Sequence, residues 1–216
     1  MEGQLKISPE ELFFLGKQMR AKYIDYDYVK MMGDLQQKYP LKEKEIMAGL
    51  VKRGLLMEDF SGNMELNEEI RNLLEPVFFG DFEVEIILGT PKEGWRIEKF
   101  HFYKGKIIQT VPEKKSLIFF AGGENGLKKL KEELLPEGYT GEKKILSGDS
   151  LNLENVEKIL VIKNMKIGYR AMGRQFLLFG GTWYAGKEDR TEGQNREELE
   201  KFWNVLTGEV QEYVLL

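Results

Sequence analysis

Lys52–Leu66, KRGLLMEDFSGNMEL, is the stretch whose reading decides the fold. Gly54 is a natural left-handed stop for a helix running from about Lys42 to Lys52, in which Ile46, Met47 and Leu50 face inward. Leu55-Leu56-Met57 then reads as a short extended piece, turned by Ser61-Gly62-Asn63 into Met64-Glu65-Leu66. A helix followed by a hairpin has two incompatible meanings here. It is either the working part of a winged helix on nucleic acid, or part of a module that contacts protein.

Charge favours the second meaning. If this helix entered a major groove, Lys42, Lys44, Lys52 and Arg53 would face phosphate, but Glu43 and Glu45 offset them. The wing carries Glu58, Asp59 and Glu65, which repel a polyanion. No nucleic acid is therefore expected as a partner.

Upstream, Ser8-Pro9-Glu10-Glu11 is a capping box with Pro at the first helical position, so a helix begins at Pro9 and buries Leu12, Leu15 and Met19, with Phe13 beside them. Asp25 or Asp27 caps a second helix that carries Val29, Met32 and Leu35 and ends before Pro40. Downstream, Asn67 caps a short helix through Leu74, which Pro76 is expected to end.

From Phe82 the apolar period changes to two, through Phe82, Val84, Ile86 and Leu88. The next strand sets Trp95, Ile97, Lys99 and His101 on one face and Arg96, Glu98, Phe100 and Phe102 on the other; Lys104-Gly105 turns it into Lys106–Val111. Ser116–Ala121 is a fully apolar run expected in a central strand, followed by Gly122-Gly123 and a charged helix from about Asn125 to Leu134. Pro136–Ser150, rich in Gly and Lys, reads as an exposed connection. Val156–Ile162 fits a strand or a helix; Lys166–Tyr169 and Gln175–Tyr184 fit strands, and Arg196–Leu206 a last helix.

IFFAGGENGLKKLKEEL and GTWYAGKEDRTEGQNREELEKFW share a plan of aromatic strand, glycine turn and Lys/Glu-rich helix. The expectation is an α+β fold: N-terminal helices with a short hairpin over residues 1–80, then an antiparallel sheet and helices over residues 81–216. The second region is read as a pseudo-two-fold duplication of a strand-strand-strand-helix unit, packed with the first as one globular body.

Composition narrows the function. The 216 residues carry 32 basic and 36 acidic side chains, a net charge of −4, so no global field draws the protein to nucleic acid or anionic lipid. No run of about 18 apolar residues is present to span a bilayer, and Gln4–Ser8 leads into a polar-flanked helix rather than an apolar signal core, so no stable membrane insertion and a cytoplasmic location are expected. The absence of cysteine removes disulfides, thiolate metal sites and a Cys nucleophile.

Catalytic equipment is thin. His101, the only histidine, sits between Phe100 and Phe102 and reads as a hydrogen-bonded sheet histidine more readily than as a general base, since no nucleophile motif accompanies it. Asp59, Ser61, Asn63 and Glu65 around Gly62 miss the EF-hand pattern and suit a turn; Gly122–Gly126 lacks P-loop and dinucleotide spacing. No catalytic, cofactor-binding or metal-ligating residue is assigned. For partner binding the candidates are the aromatic segment Trp183 and Tyr184, next to Gly180-Gly181, which mark a bulge or the close approach of another backbone, and Phe78-Phe79 at the approach to the sheet.

ISPEELFFLGKQM, EIMAGLVKRGLLMEDFSGNMEL and PVFFGDFEVEI resemble the opening of the EspG-like chaperones of type VII secretion, most closely their EsaE-like branch in Gram-positive bacteria of low genomic GC. Leu12, Leu15 and Gly16, then Gly54-Leu55-Leu56, follow the family's order of a leucine-leucine-glycine helix and a glycine-leucine segment. The resemblance implies a non-enzymatic cytosolic adaptor without cofactor. It would bind a helical secretion substrate, such as an LXG-type toxin or a small helical partner, and deliver it to the membrane-bound secretion ATPase. The alternative from the residues alone is a winged-helix regulator with a ligand-sensing C-terminal domain.

Overall fold

The computed structural model describes residues 4–36, 42–80, 82–90, 92–146, 155–166, 172–187 and 190–207. In chain order the elements are β1 (Gln4–Ile7), α1 (Pro9–Met19), α2 (Tyr26–Gln36), α3 (Glu43–Lys52), β2 (Leu56–Glu58), β3 (Met64–Leu66), α4 (Glu68–Phe79), β4 (Phe82–Thr90), β5 (Gly94–Tyr103) and β6 (Lys106–Pro112). There follow β7 (Leu117–Ala121), α5 (Gly123–Leu134), β8 (Ile145–Leu146), β9 (Lys158–Lys166), β10 (Met172–Phe179), β11 (Thr182–Lys187), β12 (Arg190–Gly193) and α6 (Arg196–Thr207). The fold is α+β, and strands such as β1 and β7, β6 and β7, β4 and β9, and β9 and β10 pair antiparallel. Two compact units divide the chain, Met1–Asp81 with Phe100–Gly123 and Phe82–Lys99 with Glu124–Leu216. The division crosses β5 between Lys99 and Phe100. Among the described residues no helix is long and apolar enough to cross a membrane.

In the first unit the capping box forms as the residues predict: Glu11 N–H donates to Ser8 Oγ (3.2 Å) and Ser8 N–H to Glu11 Oε2 (2.8 Å). Such a cap stabilises a helix by about 1 kcal/mol. Leu12 and Leu15 are fully buried, and Gly16 is where α1 meets α4, since a Cβ there would fall 3.3 Å from the Phe78 ring. The leucine-leucine-glycine pattern is thus a packing face.

Two expectations fail in this unit. Pro76 does not end α4, which runs on to Phe79. A helical proline costs roughly 3 kcal/mol, and burying Val77 and Phe78 completely is worth about 1.5–3 kcal/mol each, enough to carry the helix through. Gln4–Ile7 is not a lead-in to α1 but a strand, pairing Leu5 with Phe119 and Ile7 with Leu117 of β7. β2 and β3 form the expected hairpin, Leu56 opposite Leu66.

The second unit is a sheet with α5 and α6 against it. Val156–Ile162 falls largely in a strand, β9, which pairs Ile86 with Ile162 and Leu88 with Leu160. Gln175–Tyr184 is not one strand: Gly180 and Gly181, at φ 55° and 72°, are the two-residue turn of the β10–β11 hairpin, not a bulge. Of Lys166–Tyr169, only Lys166 is described, as the end of β9; the rest lies outside the described residues, as do residues 147–150 of the Pro136–Ser150 connection. That connection also contributes β8, paired to β12.

The duplicated plan has four strands rather than three. β4-β5-β6-β7 precede α5 and β9-β10-β11-β12 precede α6, each strand beside its predecessor, with β1 added to β7 and β8 to β12. IFFA of β7 therefore corresponds in order to β12, not to the aromatic TWYA of β11.

Candidate functional site

β4 is buried on both faces, which its alternation of apolar and acidic residues does not announce. Val84, Ile86 and Leu88 turn toward the layer that includes Leu160, Ile162 and Phe176, where Phe176 meets Phe202 of α6 edge-on at 5.0 Å. On this side Arg96 pairs with Glu98 (2.5 Å) and with Glu133 of α5 (3.1 Å), and Lys158 reaches Glu133 at 3.5 Å.

The other face carries Glu83, Glu85, Ile87 and Gly89 of β4, Trp95, Ile97 and Lys99 of β5, and Ile159, Val161 and Lys163 of β9. At one end Lys99, 1% exposed, lies 3.4 Å from Glu83 and 3.3 Å from Glu85, and Lys163 adds a 2.6 Å contact to Glu85. Two cations balance two anions. Burying Lys99, Glu83 and Glu85 costs several kcal/mol each, which their mutual pairing offsets, while Lys163 stays 40% exposed.

Toward the other end the same face opens. Trp95 is 56% and Ile97 39% exposed, and Ile87, Ile159 and Val161 are half-buried. Gly89 makes room for Trp95: a Cβ there would lie 2.7 Å from the indole Cε3 and 2.3 Å from the Gly94 carbonyl oxygen. The result is an apolar strip with an aromatic anchor at one end and paired charges at the other. Such a surface fits the apolar side of a helix, and nothing in it resembles a nucleophile with a base.

The solved structure of the Mycobacterium tuberculosis type VII secretion system chaperone EspG5 in complex with the PE25-PPE41 dimer superposes at TM-score 0.58, over 93% of this chain and 96% of that one, with 7% sequence identity. The chain has an EspG-like fold. No protein-family profile matches the sequence, and no curated protein matches it.

Within the EspG-like fold the aromatics singled out from the sequence take other places than expected. Phe78 is fully buried under α1, and Trp183 and Tyr184 are 2% and 5% exposed. Trp183 N–H donates to the Tyr139 hydroxyl (3.0 Å), which in turn donates to the Gln194 carbonyl (2.7 Å). Burial pushes the Tyr139 phenol above its ordinary value, although the Trp183 N–H works the other way. These three residues are core, and only Phe79 keeps part of its ring at the surface, 6.4 Å from Tyr103. Trp95 and Ile97 are not among the residues the sequence singles out; a tryptophan beside a glycine of the neighbouring strand is the available signal.

His101 is sealed from solvent with Nε2 3.2 Å from the Tyr28 hydroxyl, which is the place of a structural histidine. The Asp59 carboxylate accepts from Ser61 N–H, Asn63 N–H and Asn63 Nδ2 at 2.7–3.0 Å, so it serves the turn. In the helix considered for nucleic acid, Arg53 binds Glu11 (2.8 Å) and the Lys6 carbonyl, and Lys42 binds Glu45 (2.9 Å). Both cations are engaged with the protein's own acceptors.

Proposed function

We propose that this protein is a non-enzymatic cytoplasmic chaperone of type VII secretion. It holds a helical secreted substrate against the strip of Ile87, Trp95, Ile97 and Val161 and targets it to the secretion ATPase. The observation that carries this reading is an exposed aromatic–aliphatic strip on a rigid sheet face, on a fold like that of EspG5, a chaperone in complex with a PE25-PPE41 dimer. A helical hairpin with one apolar side would bury Trp95 and Ile97, and aromatic anchors of this kind dominate interface energetics. Phe79 is a secondary candidate contact.

Purification of the tagged protein from its native cells, with mass spectrometry of what accompanies it, tests the reading. The expected result is a helical secreted protein bound to the wild type and lost from a Trp95→Asp/Ile97→Asp variant that still folds. Recovery of no such protein, together with sequence-selective retention of DNA, would overturn it in favour of a winged-helix regulator.

A further inference from the structure

Phe60 stands at 113% of reference exposure, and Met57, three residues earlier on β2, is 51% exposed. The turn that presents Phe60 is built without it. Asp59 N–H donates to the Asn63 carbonyl (2.8 Å) and Gly62 N–H to the Asp59 carbonyl (3.0 Å). The Asp59 carboxylate gathers Ser61 N–H, Asn63 N–H and the Asn63 amide around itself. Residue 60 takes part in none of these bonds, so the turn does not require an aromatic ring there. From Gly54 to Ile70 the chain holds Glu58, Asp59, Glu65, Glu68 and Glu69 and no Lys, Arg or His.

We propose that the β2–β3 hairpin is a docking knob on which Phe60 and Met57 pack into the apolar stripe of a basic amphipathic helix of a partner protein. Lys or Arg side chains flanking that stripe meet Glu58, Asp59 and Glu65. A tip already ordered by its own turn loses little freedom on binding, and an aromatic ring offers the largest contact area per side chain. The acidic collar selects the partner's sign: it repels nucleic acid and anionic lipid and draws in a cationic surface. This surface lies in the first unit and is independent of the chaperone reading.

The test uses the full chain and a fluorescein-labelled amphipathic helical peptide of leucine and lysine as the probe, with its leucine–glutamate counterpart as control. Fluorescence anisotropy should show binding of the lysine peptide that weakens at least tenfold in Phe60→Ser, is largely kept in Phe60→Leu, and weakens severalfold on raising salt from about 50 to about 300 mM. Unchanged circular dichroism keeps Phe60→Ser interpretable. Affinity unchanged by Phe60→Ser, or equal affinity for the glutamate peptide, would overturn the proposal. So would self-association that Phe60→Ser abolishes, which makes a second copy the occupant, or Phe60-dependent binding to neutral phosphatidylcholine vesicles.

Discussion

The indole of Trp95 fills the space above Gly89, with Cε3 2.7 Å from where a β-carbon at position 89 would sit. Gly89→Ala must therefore displace the ring and press on the Gly94 carbonyl. The expected loss is about 1–3 kcal/mol of stability by denaturant unfolding, the usual cost of overpacking. Under the proposed function it also weakens substrate capture, whereas Trp95→Ala should weaken capture while changing stability by less than about 1 kcal/mol.

Lys99 is buried between two carboxylates, so removing it leaves a surplus of buried negative charge. Lys99→Met is expected to cost roughly 3–5 kcal/mol in urea unfolding. Adding Glu83→Gln should recover a substantial part of that loss. A double variant as unstable as the single one would mean that Lys99 acts by packing alone.

Trp183 and Tyr184 test the placement of the aromatics. Trp183→Ala opens a large cavity while keeping the backbone N–H that donates to Tyr139, for an expected loss of about 3–5 kcal/mol. Partner binding by the folded fraction should be unaffected. Intrinsic fluorescence distinguishes the sites, since Trp95 is water-exposed and Trp183 and Trp203 are buried.

The anchor of α6 should depend on pH at both ends. Asn195 and Glu198 cap the helix reciprocally at 3.0 Å, and Lys143 binds the Glu198 carboxylate at 2.8 Å. The Lys143 ammonium, and then the Asn195 N–H, hold the Glu198 carboxyl below its ordinary 4.5, and Glu198 raises Lys143 above 10.5. A lowered carboxyl contributes stability above 4.5 that is lost as pH falls through the folded value. A raised ammonium contributes stability below 10.5 that is lost as pH rises through its folded value. Protection from hydrogen exchange in the first turn of α6, taken relative to the intrinsic rate at each pH, should be greatest between these limits. A Lys143→Gln variant should lose the alkaline dependence.

What could be read from the sequence were the signals contained in a few neighbouring residues. Ser8 with Glu11, Asn67 at the start of α4 and Gly54 after α3 each specify a boundary through bonds made within one turn, and the structure places them accordingly. Signals that depend on distant chain were misread. Gln4–Ile7 has too few residues to display a period, and its partner β7 lies more than a hundred residues away. Pro76 looks terminal until the burial of Val77 and Phe78 is known. Glu83 and Glu85 give no sign of their burial, because Lys99 and Lys163, which pair with them, belong to other strands. For the site, aromatic content singled out Trp183 and Tyr184 over Trp95, and only the cover on each face could separate core from surface.

The pairing of β1 with β7 sets a schedule for synthesis. Leu5 and Ile7 leave the ribosome before their partners Phe119 and Leu117, which follow about 110 residues later, roughly 6–20 s at 5–20 residues per second. Throughout that interval the nascent chain displays an apolar strand that cannot be buried as in the finished protein. The protein thus begins life needing the kind of shelter that it is proposed to give its substrate.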